Sequence, residues 1–113
     1  MIIQYHLPMD IRSLTLFQHL ANTLHFGKTA AACHVSPSTL SRAIQRLEEH
    51  LGSQLLIRDN RSVILTAEGK KLLAYSDHQI EQYESLKLSL NEAQQQLSGS
   101  LNIYCSVTAS YAY

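Results

Sequence analysis

A mainly α fold is predicted by three features of this sequence. Apolar residues recur at helical spacing in three stretches between residues 10 and 51. A short segment over residues 55–66 reads as strand, turn and strand, and residues 67–97 then keep helical periodicity with no proline. The 113 residues suffice for one domain of about 60–110 residues, which excludes large two-lobed enzymes. With 45% hydrophobic and 16% charged residues, the composition is globular rather than disordered. No apolar run approaches the ~20 residues of a membrane span. Residues 1–8 (MIIQYHLP) lack the basic start and apolar core of a signal peptide. Cys33 and Cys105 match no zinc or disulfide spacing, so a reducing, cytoplasmic location is expected.

The first helix should run over residues 10–25. Asp10 is placed as its N-cap, Ile11, Leu14, Phe17, Ala21 and Leu24 form its apolar stripe, and it should end near His25-Phe26-Gly27. A second, short helix follows through Thr29-Ala30-Ala31-Ala32, whose alanines favour helix and let a neighbour approach closely. Ser36 is positioned to cap a third helix, and Pro37 suits its first position because the missing N–H costs nothing there. That helix should extend from Pro37 to about His50, with Leu40, Ile44, Leu47 and Leu51 as its stripe and Gly52 as its stop. A tight turn between the second and third helices makes a helix-turn-helix.

Leu55 to Arg58 and Val63 to Thr66 read as two strands joined by the polar turn Asp59-Asn60-Arg61-Ser62, which describes a wing. Thr66 can cap the long helix from Ala67 to about Leu97. Tyr83, Leu86, Leu90, Ala93 and Leu97 alternate in steps of three and four along it, a coiled-coil seam suited to dimerisation. Ser98-Gly99-Ser100 is expected to break the helix, after which Leu101, Ile103, Cys105 and Val107 alternate with polar residues as a trailing β-strand. The expected organisation is a winged helix-turn-helix over residues 9–66, a linker or dimerisation helix over 67–98, and over 99–113 the first strand of a further domain.

The zero net charge conceals an asymmetry. From Asp10 to Lys71 there are eight Lys/Arg against five Asp/Glu, whereas from Leu72 to Tyr113 there is one Lys against four acids. An anionic partner therefore belongs with the first part. A helix lying in the DNA major groove needs small polar residues at its N-terminus and a reaching donor one turn later. Pro37, Ser38, Thr39, Ser41, Arg42, Gln45 and Arg46 supply this opposite Leu40, Ile44 and Leu47. Arg42 can grip a guanine bidentately, Ser38 and Ser41 can meet base edges, and Thr39 with the helix N-terminus suits phosphate. A solvated face that holds two arginines has the same periodicity. Arg58 and Arg61 can enter a minor groove or meet phosphates, while a charged hairpin tip also keeps a sheet edge soluble. Lys28, Lys70 and Lys71 are candidate phosphate contacts by charge alone.

Several ordered elements together resemble the N-terminal signature of LysR-type transcriptional regulators. They are Phe26-Gly27-Lys28-Thr29-Ala30-Ala31, Val35-Ser36-Pro37-Ser38-Thr39-Leu40-Ser41-Arg42, Ile44-Gln45-Arg46-Leu47-Glu48-Glu49, Leu51-Gly52 and Leu65-Thr66-Ala67-Glu68-Gly69. The similarity covers about residues 9–108. It implies a DNA-binding regulator that forms a homodimer through the linker helix, and tetramers in full-length relatives. It also implies base contacts at Pro37, Ser38, Ser41 and Arg42, backbone contacts at Thr39 and Lys28, and wing contacts at Arg58 and Arg61. Many members have Gln after the Ser-Arg pair, where this chain has Ala43, so any contact of that amide is expected to be lost. Members usually begin at the residue matching Met9, which marks residues 1–8 as an extension or a mis-called start.

Within the family, His25-Phe26-Gly27, His34-Val35-Ser36, Arg58-Asp59-Asn60-Arg61 and Cys105-Ser106-Val107-Thr108-Ala109 are similar to the branch that activates the acetohydroxy acid isomeroreductase gene. That branch serves isoleucine and valine synthesis. Ser106, Val107 and Thr108 match a ligand loop of the effector domain. Most of that domain is expected to be missing here, so an acetohydroxy acid inducer is expected only for full-length relatives.

Other chemistries fit less well. No two of the six histidines show the i, i+4 spacing of helical zinc sites, and neither a metal nor a cofactor is expected. Cys33 reads as a small core residue rather than a redox sensor. No glycine-rich loop or nucleophile elbow accompanies Ser and His, so the chain is not expected to be an enzyme. The rival reading is an adaptor that pairs with full-length regulators through residues 67–97 without productive DNA binding of its own.

Overall fold

Asp10 starts the first helix as a cap should, its Oδ1 accepting the Ser13 N–H at 2.9 Å. The computed structural model describes residues 9–59 and 61–103. Its elements are α1 (Ile11–Thr23), α2 (Phe26–Ala32), α3 (Pro37–Leu51), β1 (Leu56–Arg58), β2 (Val63–Leu65) and α4 (Ala67–Ile103). The chain divides between Ile80 and Glu81 into two compact units.

The boundary between the first two helices differs from the sequence expectation. α1 ends at Thr23, where Leu24 turns left-handed (φ 53°) and donates its N–H to the Leu20 carbonyl at 2.7 Å. His25-Phe26-Gly27 does not close α1 but opens α2, because His25 Nδ1 accepts the Lys28 N–H at 2.9 Å and acts as an N-cap. Thr29 is fully buried in α2, and its hydroxyl meets that of Thr23 at 2.6 Å. The turn into α3 passes through His34 at φ 58°, with Val35 N–H donating to the Ala30 carbonyl at 3.0 Å.

Ser36 and Pro37 begin α3 as expected, Ser36 Oγ accepting the Thr39 N–H at 3.1 Å. Gly52 ends it at φ 67°, a backbone conformation that costs a residue with a Cβ about 1–2 kcal/mol. β1 and β2 pair antiparallel with Leu56 opposite Leu65 and Arg58 opposite Val63. Thr66 then joins wing to helix. It donates its hydroxyl to the Gln54 carbonyl at 2.6 Å and accepts the Gly69 N–H at 2.9 Å as the cap of α4. At Gly69 a Cβ would collide with the Leu55 carbonyl oxygen, so this close approach requires glycine.

Up to Ile80 the core combines Leu14, Phe17 and Leu20 of α1 with Leu40, Ile44 and Leu47 of α3, Leu55 before β1 and Leu72 of α4. Each such side chain contributes about 1.5–3 kcal/mol when fully buried. Leu51, expected in the α3 stripe, is 41% exposed. Gln18 Nε2 of α1 donates to Asp77 Oδ1 of α4 at 2.6 Å.

From Glu81 to Glu92 every side chain is exposed. The expected helix break at Ser98-Gly99-Ser100 does not occur, since α4 continues to Ile103. A single glycine costs a helix interior only about 1 kcal/mol, and a lone strand would leave its own backbone groups unpaired. The rest of the expected strand, over residues 104–107, lies outside the described residues. No described helix is long and apolar enough to cross a membrane.

Candidate nucleic-acid interface

The apolar stripe of α3 fixes which of its residues face outward. Leu40, Ala43, Ile44 and Leu47 are buried, whereas Pro37, Ser38, Arg42, Gln45 and Arg46 are exposed and Thr39 and Ser41 half-buried. Ser36 Oγ also donates to Thr39 Oγ1 at 2.9 Å and lies 3.2 Å from Ser38 Oγ, so the cap orients both hydroxyls at the helix start. The residue in place of the family's Gln, Ala43, is 5% exposed and belongs to the core.

The wing is held by Asp59. Its Oδ1 accepts the N–H groups of Arg61 at 2.8 Å and Ser62 at 2.7 Å and the Ser62 hydroxyl at 3.1 Å. The Arg61 amide contributes most, then those of Ser62, and together they hold the carboxyl below its ordinary value of 3.8. Arg61 is left exposed beside this turn. Arg58 is exposed too, but its guanidinium stacks on the Phe26 ring at 4.1 Å from the centroid. A cavity of about 180 Å³ brings Arg58 together with Gln45, Glu48 and Gln54 between α3 and β1. Glu48 Oε2 is turned to the backbone there, accepting the Leu55 N–H at 2.8 Å.

Lys28 stands exposed in the first turn of α2, and Lys70 and Lys71 in the first turns of α4. No described contact ties these lysines or Arg61 to the α3 face. Among the described residues the one salt bridge is Lys87–Glu84 at 3.8 Å. Arg42, Arg46, Arg58, Arg61 and Lys28 therefore have no carboxylate partner among them, and their charge is free for an anion.

Of the seam residues, Tyr83, Leu86 and Leu90 are 41%, 56% and 56% exposed; Leu88, 60% exposed, lies on another face of the helix. The side chains of Ala93 and Leu97 and all of Ser106, Val107 and Thr108 lie outside what is described. Among the described residues no group of three His, Cys, Asp or Glu is placed to hold a metal. Cys33 is half-buried against the core, and burial pushes its thiol up, opposed in part by the Arg12 guanidinium. Sequence reasoning missed Phe26 as the residue that holds Arg58, because no periodicity links positions 26 and 58.

This geometry agrees with the comparisons to known proteins. The model of bacterial regulatory helix-turn-helix proteins of the lysR family matches residues 11–70. The HTH-type transcriptional activator IlvY of Salmonella typhimurium is 52% identical over 105 residues, covering 93% of this chain and 36% of that protein. The protein of that name from Haemophilus influenzae is 46% identical over the same share of each chain. The chain thus spans about a third of the length of the curated relatives it matches. Among solved structures, the BenM DNA-binding domain bound to catB site 1 DNA aligns with a TM-score of 0.68 at 33% identity, over 74% of this chain and 92% of that one. The CbnR DNA-binding domain in complex with DNA aligns at 0.71 and 30% identity, over 76% of this chain and 99% of that one. With the family's pattern running through α1–α3, the wing and the start of α4, the chain belongs to the lysR family of bacterial regulatory helix-turn-helix proteins.

Proposed function

We propose that this chain binds double-stranded DNA sequence-specifically, as a homodimer, and regulates transcription. The observation that carries this reading is α3, whose outward face offers Ser38, Arg42, Gln45 and Arg46 free of ion pairs among the described residues while its other face is locked in the core. A rigid helix with unneutralised donors at its exposed start suits base-edge recognition. Arg42 grips a guanine, Ser38 and Ser41 approach neighbouring base edges, and Thr39 and Lys28 meet the backbone. Arg58 and Arg61 extend the contact from the wing. Tyr83, Leu86 and Leu90 pair two copies, so that two α3 helices meet two half-sites.

The similarity to proteins named transcriptional activator IlvY supports a narrower reading. In it the chain acts as part of an activator of isoleucine and valine synthesis, at the acetohydroxy acid isomeroreductase gene. The purified chain should retard DNA from upstream of that gene and not unrelated promoters. On the specific site Arg42→Ala should cost about 1–3 kcal/mol, and far less on random DNA. Equal losses on both would show that Arg42 touches phosphate alone.

A further inference from the structure

We infer that Phe26 is a positioning residue for DNA binding. Its ring holds the Arg58 guanidinium so that Arg58 grips a single backbone phosphate at the junction of α3 and the wing. Three observations converge on this. The guanidinium lies 4.1 Å from the ring centroid, within the range of a cation–π contact. Arg58 has no carboxylate partner among the described residues. Its neighbours in the cavity of about 180 Å³ include the amide side chains Gln45 and Gln54 and Glu48, whose Oε2 accepts the Leu55 N–H and which makes no salt bridge to Arg58.

An aromatic ring differs from a carboxylate as a clamp. A carboxylate would occupy the N–H fork and cancel the charge, whereas a ring fixes the plane of the guanidinium by its face. Its N–H edges and its full charge stay available, and that fork matches the oxygens of a phosphate. Phe26 is half-buried against the core at the first position of α2, and Arg58 ends β1. The stack therefore ties the wing to the helix-turn-helix at the point where a phosphate backbone passing from α3 to the wing would lie. Gln45, exposed on α3, lines the same cavity as Arg58 and would add a second donor there.

This inference rests on the DNA-binding reading above, and the experiment keeps the two apart. Position 26 is replaced in the full chain by phenylalanines carrying one, two and three ring fluorines, which keep the shape but progressively weaken the negative ring face. Phe26→Leu and Phe26→Tyr are prepared beside them, and all are measured on the specific duplex over a salt series. Affinity should fall stepwise with fluorination, by up to several-fold, with Phe26→Tyr near the native chain. In an Arg58→Gln background the stepwise loss should vanish. Arg58→Gln itself should flatten the salt dependence by roughly 0.9 in log–log slope, the value of one lost phosphate contact. Phe26→Leu should move the slope in the same direction. Affinity that is indifferent to fluorination in a chain that binds DNA would overturn the inference alone. A native chain that does not bind DNA would overturn the reading beneath it.

Discussion

The region from Ile11 to Ile80 and the stretch from Glu81 to Glu92 treat similar side chains in opposite ways. In the first, Leu14, Phe17, Leu20, Leu40, Ile44 and Leu47 are each no more than 1% exposed. In the second, Leu86, Leu88 and Leu90 are 56–60% exposed, and the polar groups pair only locally, as Lys87 does with Glu84 at 3.8 Å and with the Tyr83 ring. The first region buries most of its large apolar side chains in one core, while Leu51, Ile57 and Ile64 remain 41–52% exposed. Leu86 and Leu90, one turn apart, share a helix face with Tyr83 that favours a covering partner, whereas Leu88 lies on the opposite face. On the proposed function the two regions divide the work: α3 of the first would read DNA, and the apolar face of the second would join two copies.

The sharpest way to break this comparison is to truncate one leucine in each region. Leu47→Ala should destabilise the chain by about 2–5 kcal/mol, because a filled site becomes a cavity. Leu88→Ala should change thermal unfolding by no more than about 0.5 kcal/mol. Similar losses at both positions would erase the distinction. Next in size is the effect on assembly. Leu86→Glu with Leu90→Glu should convert dimers to monomers in sedimentation while the core of the first region melts unchanged. A native chain that sediments as a monomer at micromolar concentration would contradict the assignment of that surface.

The smallest effect lies in the wing. The Asp59 carboxyl is held below 3.8 by the Arg61 and Ser62 amides and the Ser62 hydroxyl, so its folded value is lower than its unfolded one. The support it gives the turn is complete above 3.8 and is lost as the pH falls through the lower folded value. An NMR titration should show the Asp59 midpoint below 3.8, with the Arg61 and Ser62 amide signals moving alongside. A midpoint at or above that value would show that the turn does not bind the carboxylate.

What was legible in the sequence was what depends on neighbours along the chain. Asp10, Ser36, Pro37, Gly52 and Thr66 act at the ends of their own helices, and the stripe Leu40, Ile44, Leu47 follows from helical geometry alone. The α1–α2 boundary is not legible in the sequence because a histidine ring does the capping usually given to Ser, Thr, Asp or Asn. The continuation of α4 past Gly99 departs from the sequence expectation because a breaker signal is weak against an already formed helix. That Ala43 is part of the core is visible only in the packing of α3. The Phe26–Arg58 stack and the Gln18–Asp77 hydrogen bond were beyond reach, since each joins residues that only the fold brings together.

Selection from random duplexes tests most directly whether the outward face of α3 reads DNA sequence. The purified chain is incubated at moderate salt with a randomised library, and the retained duplexes are sequenced. The predicted result is one recurring motif present as two related half-sites, lost as a motif when Arg42→Ala is used in place of the native chain. Retained duplexes that share no motif, or a native chain that retains none, would contradict the claim.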